Sequence, residues 1–299
     1  MKALIQRVSS ARAEVAGKTT AEIGKVLLVF ICAVILLFSP GCTYLFFKPG
    51  RIFVNNPEVQ ALSPQDVYFT SSDGIKLHGW YFRGRGSEER GTILVCHGNV
   101  ENISTHAKLD LWLIREGYNL FIFDYRGYGK SEGETTVEGL HLDAQAALEA
   151  LFTLPGAQRR VMIFGKSLGG AVAVRLTATT PHRDRIRALV IESAFADYRM
   201  MARREIAKTP LGWPVQYPLS LLVDNDYSPL KWIAKVSPVP LLILHGAEDP
   251  IVPVEHGRIL HDAAAEPKQY WELSGLGHVK SWTDEATRKR LLDYLASLP

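Results

Sequence analysis

The stretch Val161-Met162-Ile163-Phe164-Gly165-Lys166-Ser167-Leu168-Gly169-Gly170-Ala171 decides how the rest of the chain is read. An apolar run suited to a buried strand ends at Gly165, and residues 168–180 follow with helical character. Ser167 stands two residues from a glycine on either side, the G-x-S-x-G pattern of a tight strand–turn–helix that presents a serine hydroxyl. The glycines have a steric reason: where strand and helix pass this closely, Cβ atoms at Gly165 and Gly169 would not fit. Leu168 opens the helix, where backbone N–H groups lack intrahelical acceptors. Gly165-Lys166-Ser167 is also the tail of a phosphate-binding loop, but that loop needs a glycine where Arg160 stands. A plain packing turn is the other competitor, and it would bring no chemical partners from elsewhere in the chain.

With 299 residues, 47% of them hydrophobic and 22% charged, the chain has an ordinary globular composition and can bury a large core. Lys+Arg 34 against Asp+Glu 31 leaves only +3, and no basic stripe is interleaved with aromatics, so no nucleic-acid partner is expected. Cys32, Cys42 and Cys96 imply no disulfide framework. Neither C-x-x-C nor H-E-x-x-H occurs, and no metal or other cofactor is expected.

Residues 1–25 read as an N-terminal extension with strand-like apolar residues and a hairpin turn at Val15-Ala16-Gly17-Lys18-Thr19. Met1-Lys2-Ala3-Leu4-Ile5-Gln6-Arg7-Val8-Ser9-Ser10-Ala11, with Glu22-Ile23-Gly24-Lys25 and Leu27-Leu28-Val29, resembles the opening of D-aminoacyl-tRNA deacylase. The later segments of that enzyme are missing, so the resemblance of residues 1–29 implies a fusion remnant or a misplaced start rather than tRNA editing. Residues 26–38 are uninterrupted apolar, shorter than the ~18–20 residues of a spanning helix but suited to a signal h-region. Ser39-Pro40-Gly41-Cys42 then resembles a bacterial lipoprotein signal, apart from Ser39 where a leucine is usual. If a helix runs through Pro40 and Gly41, 26–47 is long enough to span. Either way membrane association is expected, and Lys2, Arg7, Arg12, Lys18 and Lys25 ahead of the run place the remainder on the extracytoplasmic side. Residues 48–63, rich in Pro, Gly and Asn, read as a linker.

Beyond the linker, 65–70 and 76–82 alternate apolar and polar residues around Ser71-Ser72-Asp73-Gly74, a hairpin signal. Thr92-Ile93-Leu94-Val95-Cys96 is a strand covered on both faces, closed by His97-Gly98-Asn99. Gly98 lets a substrate carbonyl approach the backbone, His97 buttresses the loop, and the N–H groups of Asn99 and Leu168 are the expected oxyanion donors. A helix is expected over 104–116 and a buried strand over 119–124, followed by the glycine-rich Asp124-Tyr125-Arg126-Gly127-Tyr128-Gly129-Lys130-Ser131-Glu132-Gly133. That segment reads as a structural turn, and no glycine frame makes Ser131 a nucleophile. Strands at 186–192, 239–244 and 269–273 alternate with helices at 137–154, 255–265 and 284–298, which calls for a parallel sheet with right-handed crossovers. Residues 194–236 break the rhythm and read as a short cap, with Arg199, Arg203, Arg204 and Lys208 on a solvated helix face.

Asp249 and His278 each fall just beyond an expected strand, so Ser167, Asp249 and His278 occur in the order Ser, Asp, His. A parallel sheet brings such strand ends to one edge. Residues 64–298, through His97-Gly98-Asn99, the 124–131 turn and Gly165-Lys166-Ser167-Leu168-Gly169-Gly170, resemble the α/β-hydrolase superfamily and its membrane-anchored, serine aminopeptidase-like serine-hydrolase branch. The resemblance implies an α/β class fold over 64–299: an eight-stranded, mostly parallel sheet with helices on both faces and a short cap insertion. It also implies esterase or thioesterase chemistry on a small-molecule or lipid-like acyl ester. Ser167 would be the nucleophile, His278 the base and Asp249 the orienting acid, with Asp224 and Asp226 as alternative acids. The other class of function is a catalytically silent binding protein on the same fold. Nothing in the sequence indicates an oligomeric state.

Overall fold

The computed structural model describes residues 10–15, 18–24, 47–85, 90–157, 160–208, 210 and 212–298. Strands Ser10–Val15 and Lys18–Gly24 pair antiparallel with Val15 opposite Lys18, as the hairpin reading anticipates. The expected anchor and lipoprotein-type cysteine lie outside the described residues, except for Phe47. Among the described residues, no helix is long and apolar enough to cross a membrane.

From Phe47 onward the chain forms a separate unit around an eight-stranded sheet. Its strands are β1 (Gln65–Thr70), β2 (Lys76–Phe82), β3 (Gly91–Cys96), β4 (Tyr118–Asp124), β5 (Val161–Lys166), β6 (Ile186–Glu192), β7 (Leu241–Gly246) and β8 (Lys268–Leu273). They lie in the order β8-β7-β6-β5-β3-β4-β2-β1, and β2 alone runs against its neighbours β1 and β4. β3 to β7 are apolar because both faces are covered. Leu94, Phe121, Ile163, Ile191 and Ile243 face one core, while Val95, Ile122, Phe164, Val190 and Leu244 face the other. Successive side chains of a strand alternate between faces, so one continuous apolar run supplies both cores.

The helices end where local chemistry stops them. α1 (Val137–Thr153) starts at Thr136, whose hydroxyl accepts the Gly139 N–H, and stops before Pro155, which disfavours helical backbone in the residue ahead of it. α2 (Leu168–Thr179) follows the serine turn directly. Between β6 and β7, the region expected to form a cap, lie α3 (Tyr198–Ala207) and α4 (Gln216–Ser220). α5 (Glu255–Ala263) precedes β8, and α6 (Glu285–Ser297) is capped by Asp284, which accepts the Thr287 N–H. One expectation needs correction: 104–116 is not a single helix. It divides into Ile103–His106, a 3₁₀ turn at Ala107–Leu109 and Leu111–Arg115, with Asp110 at φ −120°, ψ −2° between them. The Asp110 carboxylate is held by Lys166 of β5 across the core, a tie that a continuous helical pattern in sequence does not reveal.

Because the chain goes from β3 outward to β4 and then returns across β3 to β5, the strand order reverses between β3 and β5. In a parallel sheet the crevice beyond the carboxyl ends of such strands is where ligands bind. The loop after β3 and the turn after β5 both open into it.

Candidate active site

Ser167 follows the last residue of β5 and adopts φ 54°, ψ −117°, a backbone conformation that costs a non-glycine residue about 1–3 kcal/mol and persists only where neighbours enforce it. Here they do. The Ser167 N–H donates to the Glu192 carbonyl at 2.9 Å, and its own carbonyl accepts the Gly170 N–H at 2.9 Å. A Cβ on Gly165 would stand 2.5 Å from the Gly169 carbonyl oxygen and 2.7 Å from Ala173 Cβ. One on Gly169 would overlap the carbonyls of Cys96 and His97, so α2 begins in direct contact with the loop after β3. The serine is half-buried, with the Leu168 N–H in the first turn of the helix beside it.

The loop after β3 is fixed from several sides. His97 is fully buried, donates from Nδ1 to the Gly98 carbonyl at 2.7 Å and packs against His106, Tyr125 and Tyr128. Burial, helped by the charge of His106, pulls its pKa well below the ordinary value, so it is a neutral prop. The Asn99 carbonyl accepts the Tyr128 hydroxyl at 2.8 Å, and its side-chain oxygen accepts the same group at 3.2 Å. A Cβ at Gly98 would lie 3.8 Å from Ser167 Cβ and 3.3 Å from His106 Cε1, which puts this loop next to the serine.

Asp249 and His278 meet across two other loops. His278 Nδ1 lies 2.7 Å from Asp249 Oδ2, while Asp249 Oδ1 accepts the N–H groups of Ile251 and Val252, each at 2.9 Å. Burial of Asp249 opposes its charged form. The His278 hydrogen bond and charge, with the Val252 and Ile251 N–H groups, outweigh that effect and hold the carboxyl below its ordinary range. The two loops are joined by main chain as well, through the Glu248 N–H to the Leu276 carbonyl at 3.1 Å. His245 stands 3.6 Å from Asp249 and donates to the Val252 carbonyl at 2.9 Å, and burial lowers its pKa. Sequence reading gave it no role, placing it just after the strand 239–244, whereas it lies within β7.

The histidine loop is bound to the same sheet edge as the serine. The Val279 N–H donates to Ser193 Oγ at 3.2 Å and the Ser281 N–H to Glu192 Oε1 at 2.8 Å, directly after β6. Ser167 Oγ itself makes no hydrogen bond among the described residues, to His278 or any other group. The competing residues sit elsewhere. Asp226 pairs with Lys231 at 2.6 Å, Asp224 accepts the Asp226 N–H at 2.8 Å, and both are exposed. Ser131 is fully buried, donating to the Asp124 carbonyl and accepting from the His78 N–H. No group of His, Cys, Asp and Glu among the described residues could hold a metal ion.

Comparison with known proteins agrees with this fold. A family profile described as serine aminopeptidase, S33, matches residues 87–229. The chain is 31% identical over 288 residues to the protein YfhR of Escherichia coli (strain K12), covering 94% of this chain and 96% of YfhR. It is 33% identical over 261 residues to the alpha/beta hydrolase domain-containing protein WAV2 of Arabidopsis thaliana, covering 84% of each. Among solved structures, the Pyrococcus furiosus esterase Pf2001 is similar at a TM-score of 0.68 and 25% identity, over 84% of this chain and 99% of the esterase. With its sheet order, its serine turn and relatives of nearly its whole length, this chain belongs to the α/β-hydrolase family.

Proposed function

We propose that the chain is a serine hydrolase that cleaves carboxylic ester or thioester bonds through an acyl-enzyme. The observation that carries this is the His278–Asp249 contact at 2.7 Å on the sheet edge that also presents Ser167. With Nδ1–H donated to the carboxylate, Nε2 is the basic nitrogen of His278, whose side chain is 17% exposed and so open to the cleft. The base takes the Ser167 proton as Oγ attacks the acyl carbon, and Asp249 stabilises the imidazolium that forms. The oxyanion accepts N–H bonds from Leu168 and Asn99. Collapse breaks the ester or thioester bond as His278 returns the proton to the leaving oxygen or sulfur. Water then repeats the sequence and releases the acid. The serine-to-histidine hydrogen bond forms as substrate closes the site, since such bonds are commonly long or open in empty enzymes. Similarity to the Pyrococcus furiosus esterase supports the same chemistry.

The test is Ser167→Ala against wild type on p-nitrophenyl esters of increasing acyl length, with an organophosphonate probe in parallel. Hydrolysis falls by about 10⁴-fold or more and labelling disappears, while far-ultraviolet circular dichroism is unchanged. Labelling retained at another serine overturns the assignment. The proposal extends to location: residues 26–47 tether the hydrolase domain to a membrane on the extracytoplasmic side. Membrane fractionation, followed by protease treatment of intact cells, checks this, and a fully soluble protein would refute it.

A further inference from the structure

Glu192 touches both halves of the proposed triad without facing the substrate. Its carbonyl accepts the Ser167 N–H at 2.9 Å, and its carboxylate accepts the Ser281 N–H at 2.8 Å, three residues beyond His278. The next residue, Ser193, has φ 52° and takes the Val279 N–H on its hydroxyl at 3.2 Å. Serine and histidine therefore hang from two consecutive residues at the end of β6.

The surroundings of Glu192 are costly for a core. In the parallel register Glu192 is opposite Lys166, and Lys166 Nζ donates to Asp110 at 2.5 Å. All three side chains are buried. Replacing a buried ion network by apolar residues is often neutral or stabilising, so stability alone does not account for these charges. What the carboxylate does that an apolar side chain cannot is accept a main-chain N–H of the histidine loop from a fixed point on the sheet.

We propose, on the serine-hydrolase reading above, that Glu192 is a positioning residue that sets the spacing between Ser167 and His278. Its main chain holds the nucleophile, and its carboxylate, together with Ser193 Oγ, holds the 279–281 segment. Because Asp110 keeps Lys166 paired, removing the Glu192 carboxylate leaves no orphaned cation, and the loss falls on the loop.

The experiment compares Glu192→Ala, Glu192→Gln and Ser193→Ala with wild type in the full chain, by hydrogen exchange of peptides covering 276–284 and by ester kinetics. In Glu192→Ala, exchange in that segment rises by tenfold or more while the strand peptides of β3 and β5 keep their protection. The value of kcat falls by about 10²-fold, as a displacement of the base by roughly 1 Å would produce, and KM stays within about twofold. Glu192→Gln, which retains an acceptor oxygen, recovers most of both losses. Ser193→Ala shows the same pattern at smaller size, and decides the matter if Glu192→Ala does not fold. Unchanged exchange at 276–284, or turnover within twofold of wild type in the alanine variants, overturns the proposal. If wild type hydrolyses no ester, the hydrolase reading fails, yet the exchange measurement still shows whether the clamp exists.

Discussion

The molecule contains two aspartate–histidine pairs, one at the ends of β7 and β8 and the other at the ends of β3 and β4, and they are in opposite electrical states. After β7, Asp249 receives three donors: His278 at 2.7 Å and the N–H groups of Ile251 and Val252 at 2.9 Å. At the end of β4, Asp124 lies 3.6 Å from His97, accepts one N–H from Ile103 at 2.9 Å, and has Oδ2 buried without a partner. Both carboxylates are shut away from water. In Asp249 the donors overcome burial and hold the pKa down. In Asp124 burial wins over the Ile103 N–H and the charge of Lys130 and pushes the pKa up to about 8. Asp249 has three donors that outweigh its burial and keep an ionised carboxylate able to orient a base, whereas Asp124, more deeply enclosed and with one N–H donor, is left as a neutral group that braces a loop.

Substituting the same amide into each pair is the sharpest way to break the comparison. Asp249→Asn lowers kcat by about 10⁴-fold, because an amide no longer favours the Nδ1–H tautomer or stabilises the imidazolium; steady-state kinetics on the best ester check it. The second pair acts through backbone, since His97 props the Gly98 carbonyl and Asp124 holds the Ile103 N–H. Its contribution is therefore reached through Gly98. Gly98→Val places branched methyls in a position where even Cβ is 3.3 Å from His106, and on the proposed mechanism it moves the Asn99 N–H off the oxyanion. Loss of one oxyanion donor lowers kcat by about 10²-fold, with thermal stability little changed. A Gly98→Val variant with wild-type kcat would remove the loop after β3 from the mechanism.

The difference between the pairs also marks how far sequence reading reaches. The strands were legible because buried parallel strands must be apolar on both faces, as in 92–96 and 239–244. Gly165 and Gly169 were legible because close backbone contact admits no other residue. The order of Ser167, Asp249 and His278 then located the strand ends that share an edge. What could not be seen were partners chosen by register and three-dimensional packing. Arg126 is held by Asp143 of α1 at 2.7 Å and by Asp73 of the β1–β2 turn at 2.6 Å, so that three separate elements of the chain meet at one side chain. Glu192 read only as the last residue of the strand 186–192, and Ser193 as a residue of no assigned role. Lys166 was read only within the Gly165-Lys166-Ser167 triplet that a phosphate-binding loop shares, although its side chain is buried against Asp110. The break at Asp110 was invisible for the same reason.

The smallest catalytic effect belongs to Asp124→Asn, and its value lies in pH. A carboxyl that is already neutral at pH 7 is matched by an amide, which can still accept the Ile103 N–H, so turnover stays within about threefold of wild type. Stability separates the two proteins. With a folded pKa of about 8 above an ordinary value of 3.8, native Asp124 keeps a proton that the unfolded chain gives up. Wild type therefore loses stability from this group as pH rises between those values, and asparagine does not. The Tm of Asp124→Asn relative to wild type climbs from pH 4 to pH 8 and levels off above. Asp249→Asn runs the other way, because the Asp249 pKa is depressed: its contribution is complete above 3.8 and lost as pH falls through the lowered folded value. The Tm deficit of Asp249→Asn is thus largest near neutrality and closes in acid. Thermal melts of both variants across pH 3 to 9 show Asp124→Asn gaining on wild type as pH rises from about 4 to about 8, and the Asp249→Asn deficit changing only below about pH 4; a difference from wild type that does not move with pH in these windows overturns the assigned direction for that carboxyl.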